Sequence, residues 1–139
     1  MAILPCLVFL FKKFIAVNFL GFAEQSFIDE VAFAAGKNPV EFRLSLIQKA
    51  RTTPAGAIKY NIDQMETVIK KAAEVSGWGN KSGVSQGFSV YFSHASYVAQ
   101  VCEVVMNGII PVIKKYMLFP IAGKWLIKVG HYSRYWEAL

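Results

Sequence analysis

The apolar residues of this chain change their period once, in the middle of the sequence, and that change limits the fold more than any other feature. Phe27, Ile28, Val31, Ala32 and Ala35 recur at helical spacing. Ile62, Met65, Ile69 and Ala72 do so again, with Lys70, Lys71 and Glu74 left to face water. From Gly87 to Ser93 the period is two: Phe88, Val90 and Phe92 alternate with Ser89, Tyr91 and Ser93. Tyr97 to Met106 follows, rich in β-branched Val98, Val101, Val104 and Val105, and reads as a second strand. Asn107-Gly108 is a hairpin signal, with Ile109 to Lys115 as the partner strand. Helices first and strands afterwards predict an α+β fold, two to three helices followed by a small antiparallel sheet.

The punctuation agrees with that order. Gly36 is placed to stop the first helix as a left-handed C′ residue. Asn38 can cap the second, with Pro39 at its first position and Glu41 three residues after the cap. Val40, Phe42, Leu44, Leu46 and Ile47 supply apolar surface there. Residues 50–61 read as a loop, Ser76-Gly77-Trp78-Gly79 ends the third helix, and Asn80 to Gln86 is a second loop. Met65 is read as core filler.

Composition and charge remove several functions. The 139 residues are 55% apolar and 17% charged, too apolar for ordinary disorder. The formal charge is +6, but residues 14–103 carry eight bases and eight acids. The excess lies in Lys12 and Lys13 at one end and in residues 104–139 at the other. A nucleic-acid footprint needs a basic face on the folded body, so no nucleic-acid partner is expected. Cys6 and Cys102 could form one disulfide at most. A zinc site would need both, together with His94 and His131, at no recognised spacing.

No single residue announces chemistry. His94 falls between two strands without a partner named by spacing, and is read as structural or exposed. Cys102 is read as a buried, inert thiol, and Lys114-Lys115 as a solvated strand end. The isolated glycines form neither a GxGxxG nor a Walker loop. No catalytic, cofactor-binding or metal-ligating residue is therefore assigned. Residues 1–22 are apolar apart from Lys12, Lys13 and Asn18. The lysine pair sits mid-span, which is costly in a bilayer, and follows the apolar run where a signal peptide has its basic stretch before it. Two readings stay open: a membrane anchor, or a stretch that is not a natural N-terminus.

Two runs carry a resemblance. Phe22-Ala23-Glu24-Gln25-Ser26-Phe27-Ile28-Asp29-Glu30-Val31-Ala32 and then Ala35-Gly36-Lys37-Asn38-Pro39-Val40-Glu41-Phe42-Arg43 form the first. Gly87-Phe88-Ser89-Val90 and then Ser96-Tyr97-Val98-Ala99-Gln100-Val101-Cys102-Glu103-Val104 form the second. In this order they resemble the molybdenum hydroxylases, the xanthine dehydrogenase and aldehyde oxidase family. Within it they look most like the large, molybdopterin-binding (beta) subunit of the isoquinoline 1-oxidoreductase type. The resemblance covers about residues 20–115.

It implies a fragment of a larger molybdopterin-binding domain. In the intact family, molybdenum is held on a pterin dithiolene, in some members extended by cytosine dinucleotide. A small subunit with two [2Fe–2S] clusters is the partner, and the location is cytoplasmic or periplasmic. The reaction puts a water-derived oxygen on an electron-poor carbon of an aldehyde or N-heterocycle, and a C-terminal glutamate is the base. This chain departs from the pattern. The family's Arg-Ala-Pro-Gly-like stretch is replaced by Phe14-Ile15-Ala16-Val17-Asn18, and the cofactor loops and the glutamate lie outside the matched region. No functional residue carries over, so an oxidoreductase by resemblance is expected to be inactive as this chain alone.

The tail fits the same view. Beyond Lys115 the family continues through Val-Tyr, Asp-Cys-Gly, Val-Val-Asn and Gly-Gly. Codons shifted by one position across Lys115 to Met117, Pro120 to Gly123, Lys124 to Ile127 and Trp136 to Ala138 can spell those groups in order. Three segments are thus expected: 1–20 apolar, 21–115 a partial molybdopterin-domain scaffold, and 116–139 a frame-shifted tail. The alternative is a small membrane-anchored interaction protein that uses residues 1–22.

Overall fold

The computed structural model describes residues 20–122, and beyond them only the backbone of two short strands, Trp125–Leu126 and His131–Tyr132. The apolar run 1–19 and the rest of the tail lie outside the described residues. The chain divides into two compact units at Pro39/Val40.

In the first unit, α1 covers residues 20–34. It stops where Gly36 stands, at φ 63°. The Gly36 amide bonds to the Phe33 carbonyl at 2.9 Å and the Lys37 amide to the Ala32 carbonyl at 2.9 Å. This pair of bonds satisfies carbonyls that a helix end otherwise leaves open. The covered face differs from the expected stripe. Gln25 and Ala32 are buried, whereas Phe27 and Ala35 are exposed. Seven residues are two helical turns, so Gln25 and Ala32 share a line from which Phe27 is rotated away.

The second unit holds α2 (Pro39–Thr52), α3 (Ile62–Ser76) and a sheet of β1 (Ser85–Ser93), β2 (Ser96–Asn107), β3 (Ile110–Ala122), β4 (Trp125–Leu126) and β5 (His131–Tyr132). The fold is α+β: helices followed by an antiparallel sheet in the order β1-β2-β3-β4, with β5 also on β3. Helix α3 begins at Asn61, whose side chain accepts from the Gln64 amide at 3.0 Å. It ends at Gly77, φ 65°, where the Trp78 amide reaches the Ala73 carbonyl at 3.0 Å. Its stripe of Met65, Val68, Ile69 and Ala72 belongs to the same buried cluster as Phe88, Val90, Tyr97, Ala99, Val101, Met117, Phe119 and Ile121. Val40 and Ile47 of α2 join it. Burying a side chain such as Val68 or Ile69 contributes about 1.5–3 kcal/mol, so this cluster dominates the stability of the unit. Arg51 at the end of α2 reaches Asp63 at 2.8 Å and Glu66 at 2.9 Å, tying α2 to α3 at their exposed ends.

The two hairpins depart from simple expectation in different ways. Ser93 pairs with Ser96, so the β1–β2 turn is His94-Ala95, both at positive φ (49° and 57°). That is the primed turn matching strand twist, made without its usual glycine. In the second hairpin Asn107 pairs with Ile110, so the turn is Gly108-Ile109, with Gly108 at φ 63°. The expected Asn107-Gly108 turn is thus displaced by one residue, and Asn107 ends the strand. A glycine first in the turn, followed by a residue at ordinary φ, closes the hairpin as the other primed type.

Strand β3 also runs further than Lys115. It continues to Ala122, and Met117, Phe119 and Ile121 alternate into the core opposite Val101, Ala99 and Tyr97. The register shifts between Glu103 and Val104, because Glu103 faces Lys115 and Val104 faces Ile113, which leaves Lys114 as a bulge. The first seven residues of the tail are therefore part of the sheet.

Two substitutions check this. Phe119→Ala is expected to lower unfolding free energy by about 3–5 kcal/mol in denaturant titration, whereas a detached tail would show no change. Ala95→Gly is expected to raise it by about 0.5–1 kcal/mol, because alanine carries a steric cost at φ 57° that glycine lacks.

Candidate functional site

The second unit has a cleft of about 540 Å³ at one end of the sheet, lined by Ile58, Lys59, Tyr60, Asn61, Gln64, Phe92, Ala95 and Tyr97. It forms where the loop before α3 meets the β1–β2 turn. Tyr97 anchors it: the ring is buried on the core face of β2 and its hydroxyl accepts from the Asn61 amide at 2.7 Å. One strand residue thus fixes the residue that caps α3. Phe92 lies against Tyr97 with ring centroids 4.8 Å apart, and Tyr60 against Phe92 at 6.0 Å. The lining offers aromatic faces, two amide side chains and one ammonium group, and it contains no carboxylate, thiol or imidazole. Stacking and hydrogen bonding are the chemistry available there.

The residues singled out from the sequence do not meet at this cleft. His94 occupies the turn itself and is exposed, with its Nδ1 2.7 Å from the Ser93 hydroxyl. That contact joins chain neighbours and steadies the turn. Lys114 is the exposed bulge and Lys115 faces Glu103 across the strands. Met65 is in the core, as its helical spacing implied. The backbone of His131 pairs with Met117, and Cys6 lies outside the described residues. Among the described residues, no group of three or more His, Cys, Asp or Glu side chains could hold a metal ion.

Cys102 is half-buried rather than buried, because it stands on the face of β2 away from the helices, between Gly87 and Tyr116. Burial, and then the charge of Glu103, push its thiol pKa up. Burial, and then Cys102, do the same to the Tyr116 hydroxyl. Glu103 points the other way, into the core, and is almost fully buried. Its carboxylate accepts from Lys81 in the loop before β1. Gln86 shares this corner: its side-chain oxygen accepts from the Gly79 amide at 2.8 Å, while its side-chain nitrogen is buried without a partner. Arg43 of α2, also buried, sits over the Phe88 ring at 5.7 Å, and Trp78 meets that ring edge-on at 5.5 Å.

Sequence reasoning missed both the cleft and the Lys81–Glu103 pair. Each is built from residues far apart in the chain, and the only local hint was an acidic residue inside an apolar strand. No family model, curated protein or solved structure matches the chain.

In a Cys6→Ser background, Cys102 is expected to react with an aromatic disulfide reagent at pH 8 more slowly than a free cysteine. Its rate should start to rise at a higher pH than that of the free amino acid. Labelling as fast as free cysteine contradicts the raised pKa.

Proposed function

We propose that this chain is a piece of the scaffold of the molybdopterin-binding subunit of an oxidoreductase that hydroxylates aldehydes or N-heterocycles, similar to isoquinoline 1-oxidoreductase, and that it turns nothing over by itself. What supports the reading is the pair of sequence runs that resemble that family, in the same order along the chain. The first covers α1 from Phe22, the Gly36 stop and the start of α2. The second covers Gly87–Val90 of β1 and Ser96–Val104 of β2.

The molybdenum cofactor, when bound in the family, supplies the redox centre that oxygenates substrate carbon. The aromatic cleft of this chain does not fit it. The aromatic cleft brings only Lys59 for a phosphate-bearing group. No step through the cofactor is derived for this chain, and the [2Fe–2S] subunit enters only as the partner of the intact enzyme.

Expression together with the cofactor pathway tests the first half of the proposal. Metal analysis of the purified chain is expected to find no molybdenum above background, and stoichiometric molybdenum would overturn it. Sequencing the locus on both sides of the Lys114 and Lys115 codons tests the second half. The family's Asp-Cys-Gly turn and cofactor loops should follow in the neighbouring frame; their absence there removes the family reading.

A further inference from the structure

The far end of the β2–β3 hairpin carries no charged residue on either face. Val104 pairs with Ile113 and with Ser85, the first residue of β1, and beyond it Val105–Val112, Met106–Pro111 and Asn107–Ile110 close on the Gly108-Ile109 turn. Residues 104–113 include no charged side chain. Met106 and Ile113 lie on one face, Ile110 and Val112 on the other, and all four are exposed. Ile109 at the tip is 93% exposed. A strand apolar on both faces is ordinarily buried on both. Immediately behind stand Lys114 and Lys115, within a C-terminal stretch whose charge is strongly positive.

We propose that this hairpin tip docks on a lipid bilayer surface bearing anionic headgroups, with Ile109, Ile110 and Met106 dipping into the interface and Lys114 and Lys115 at headgroup level. Three features favour this occupant. A folded partner seated on one face of a two-stranded ribbon leaves the other face wet, whereas immersion covers both faces and the tip together. Pairing with a second copy along the β3 edge is opposed by Pro111, by the bulge at Lys114 and by two lysines that would face their counterparts, devices that blunt strand edges. The reach is also suitable. Three strand steps from Val104 to Asn107 span roughly 10 Å, close to the depth at which interfacial elements sit. Among the described residues the outer edges of the ribbon beyond Val104 are unpaired, which excludes deeper insertion, because backbone groups find no water in the hydrocarbon core. The proposal is independent of the family reading and of residues 1–22.

The test is partitioning of the full-length chain into vesicles of phosphatidylcholine with about 30% phosphatidylglycerol, by cosedimentation at low salt, against vesicles of phosphatidylcholine alone. Ile109→Ser/Ile110→Thr alters only exposed positions and keeps residues suited to the turn and strand, so its circular dichroism should be unchanged. Its partitioning should fall about tenfold or more. Lys114→Gln/Lys115→Gln should fall by about twenty-five-fold on anionic vesicles, each lysine contributing roughly fivefold, and little on neutral ones. Absence of vesicle binding by the unaltered chain overturns the proposal. So does binding that Ile109→Ser/Ile110→Thr leaves unchanged, since another part of the chain would then be responsible. A dimer dissociated by that variant, without vesicle binding, would name a second copy as the occupant instead and overturn it equally.

Discussion

The second unit depends on one contact surface, where the stripe of α3 meets the core face of β1, β2 and β3. A helix repeats every 3.6 residues and a strand every two, so the two periods can share a boundary only if both sequences keep their phase. Met65, Val68, Ile69 and Ala72 keep it on the helix, and Tyr97, Ala99 and Val101 keep it on the central strand. Everything else is arranged around that boundary. Asn61 and Gly77 cap the helix at its two ends, and Arg51 ties α2 to its exposed start. The hydroxyl of Tyr97 fastens the start of α3 from beneath, so the same strand residue contributes to the core and to the wall of the cleft.

Register is the second constraint. The core face of β3 must present Met117, Phe119 and Ile121, while its first residues must close a two-residue turn with β2. The bulge at Lys114 reconciles the two by absorbing one residue. It also puts a charged side chain on an otherwise open edge. Past the bulge, the hairpin outruns β1 and loses its cover, which leaves apolar side chains exposed on both faces of the ribbon among the described residues.

Much of the fold was legible in the sequence. Gly36, Gly77, the alternation of Phe88 with Val90 and the stripe of Ile69 with Ala72 each marked the correct element, because these signals act within a turn or two of chain. Boundaries that depend on a partner strand were less legible. Asn107-Gly108 is a strong local turn signal, yet the turn forms one residue later, since pairing along β2 and β3 decides which two residues are left over. Lys115 looked like a strand end, whereas the strand continues because Val101, Ala99 and Tyr97 offer partners to Met117, Phe119 and Ile121. In α1, Phe27 fitted the expected stripe but is exposed, because apolar spacing alone leaves the phase of a helix undetermined by a residue or two.

By itself, the sequence determined the class of fold, the order of helices before strands, and the caps and stops that bound them. It also determined that no residue pattern with recognised catalytic or metal-ligand spacing is present. Those are properties of chemistry repeated at short separation. Only the tertiary structure decided the aromatic cleft, the burial of Glu103 against Lys81, and the exposure of the hairpin tip. Each of these joins or parts residues distant in the chain, and their energies arise from desolvation and packing that no local window contains.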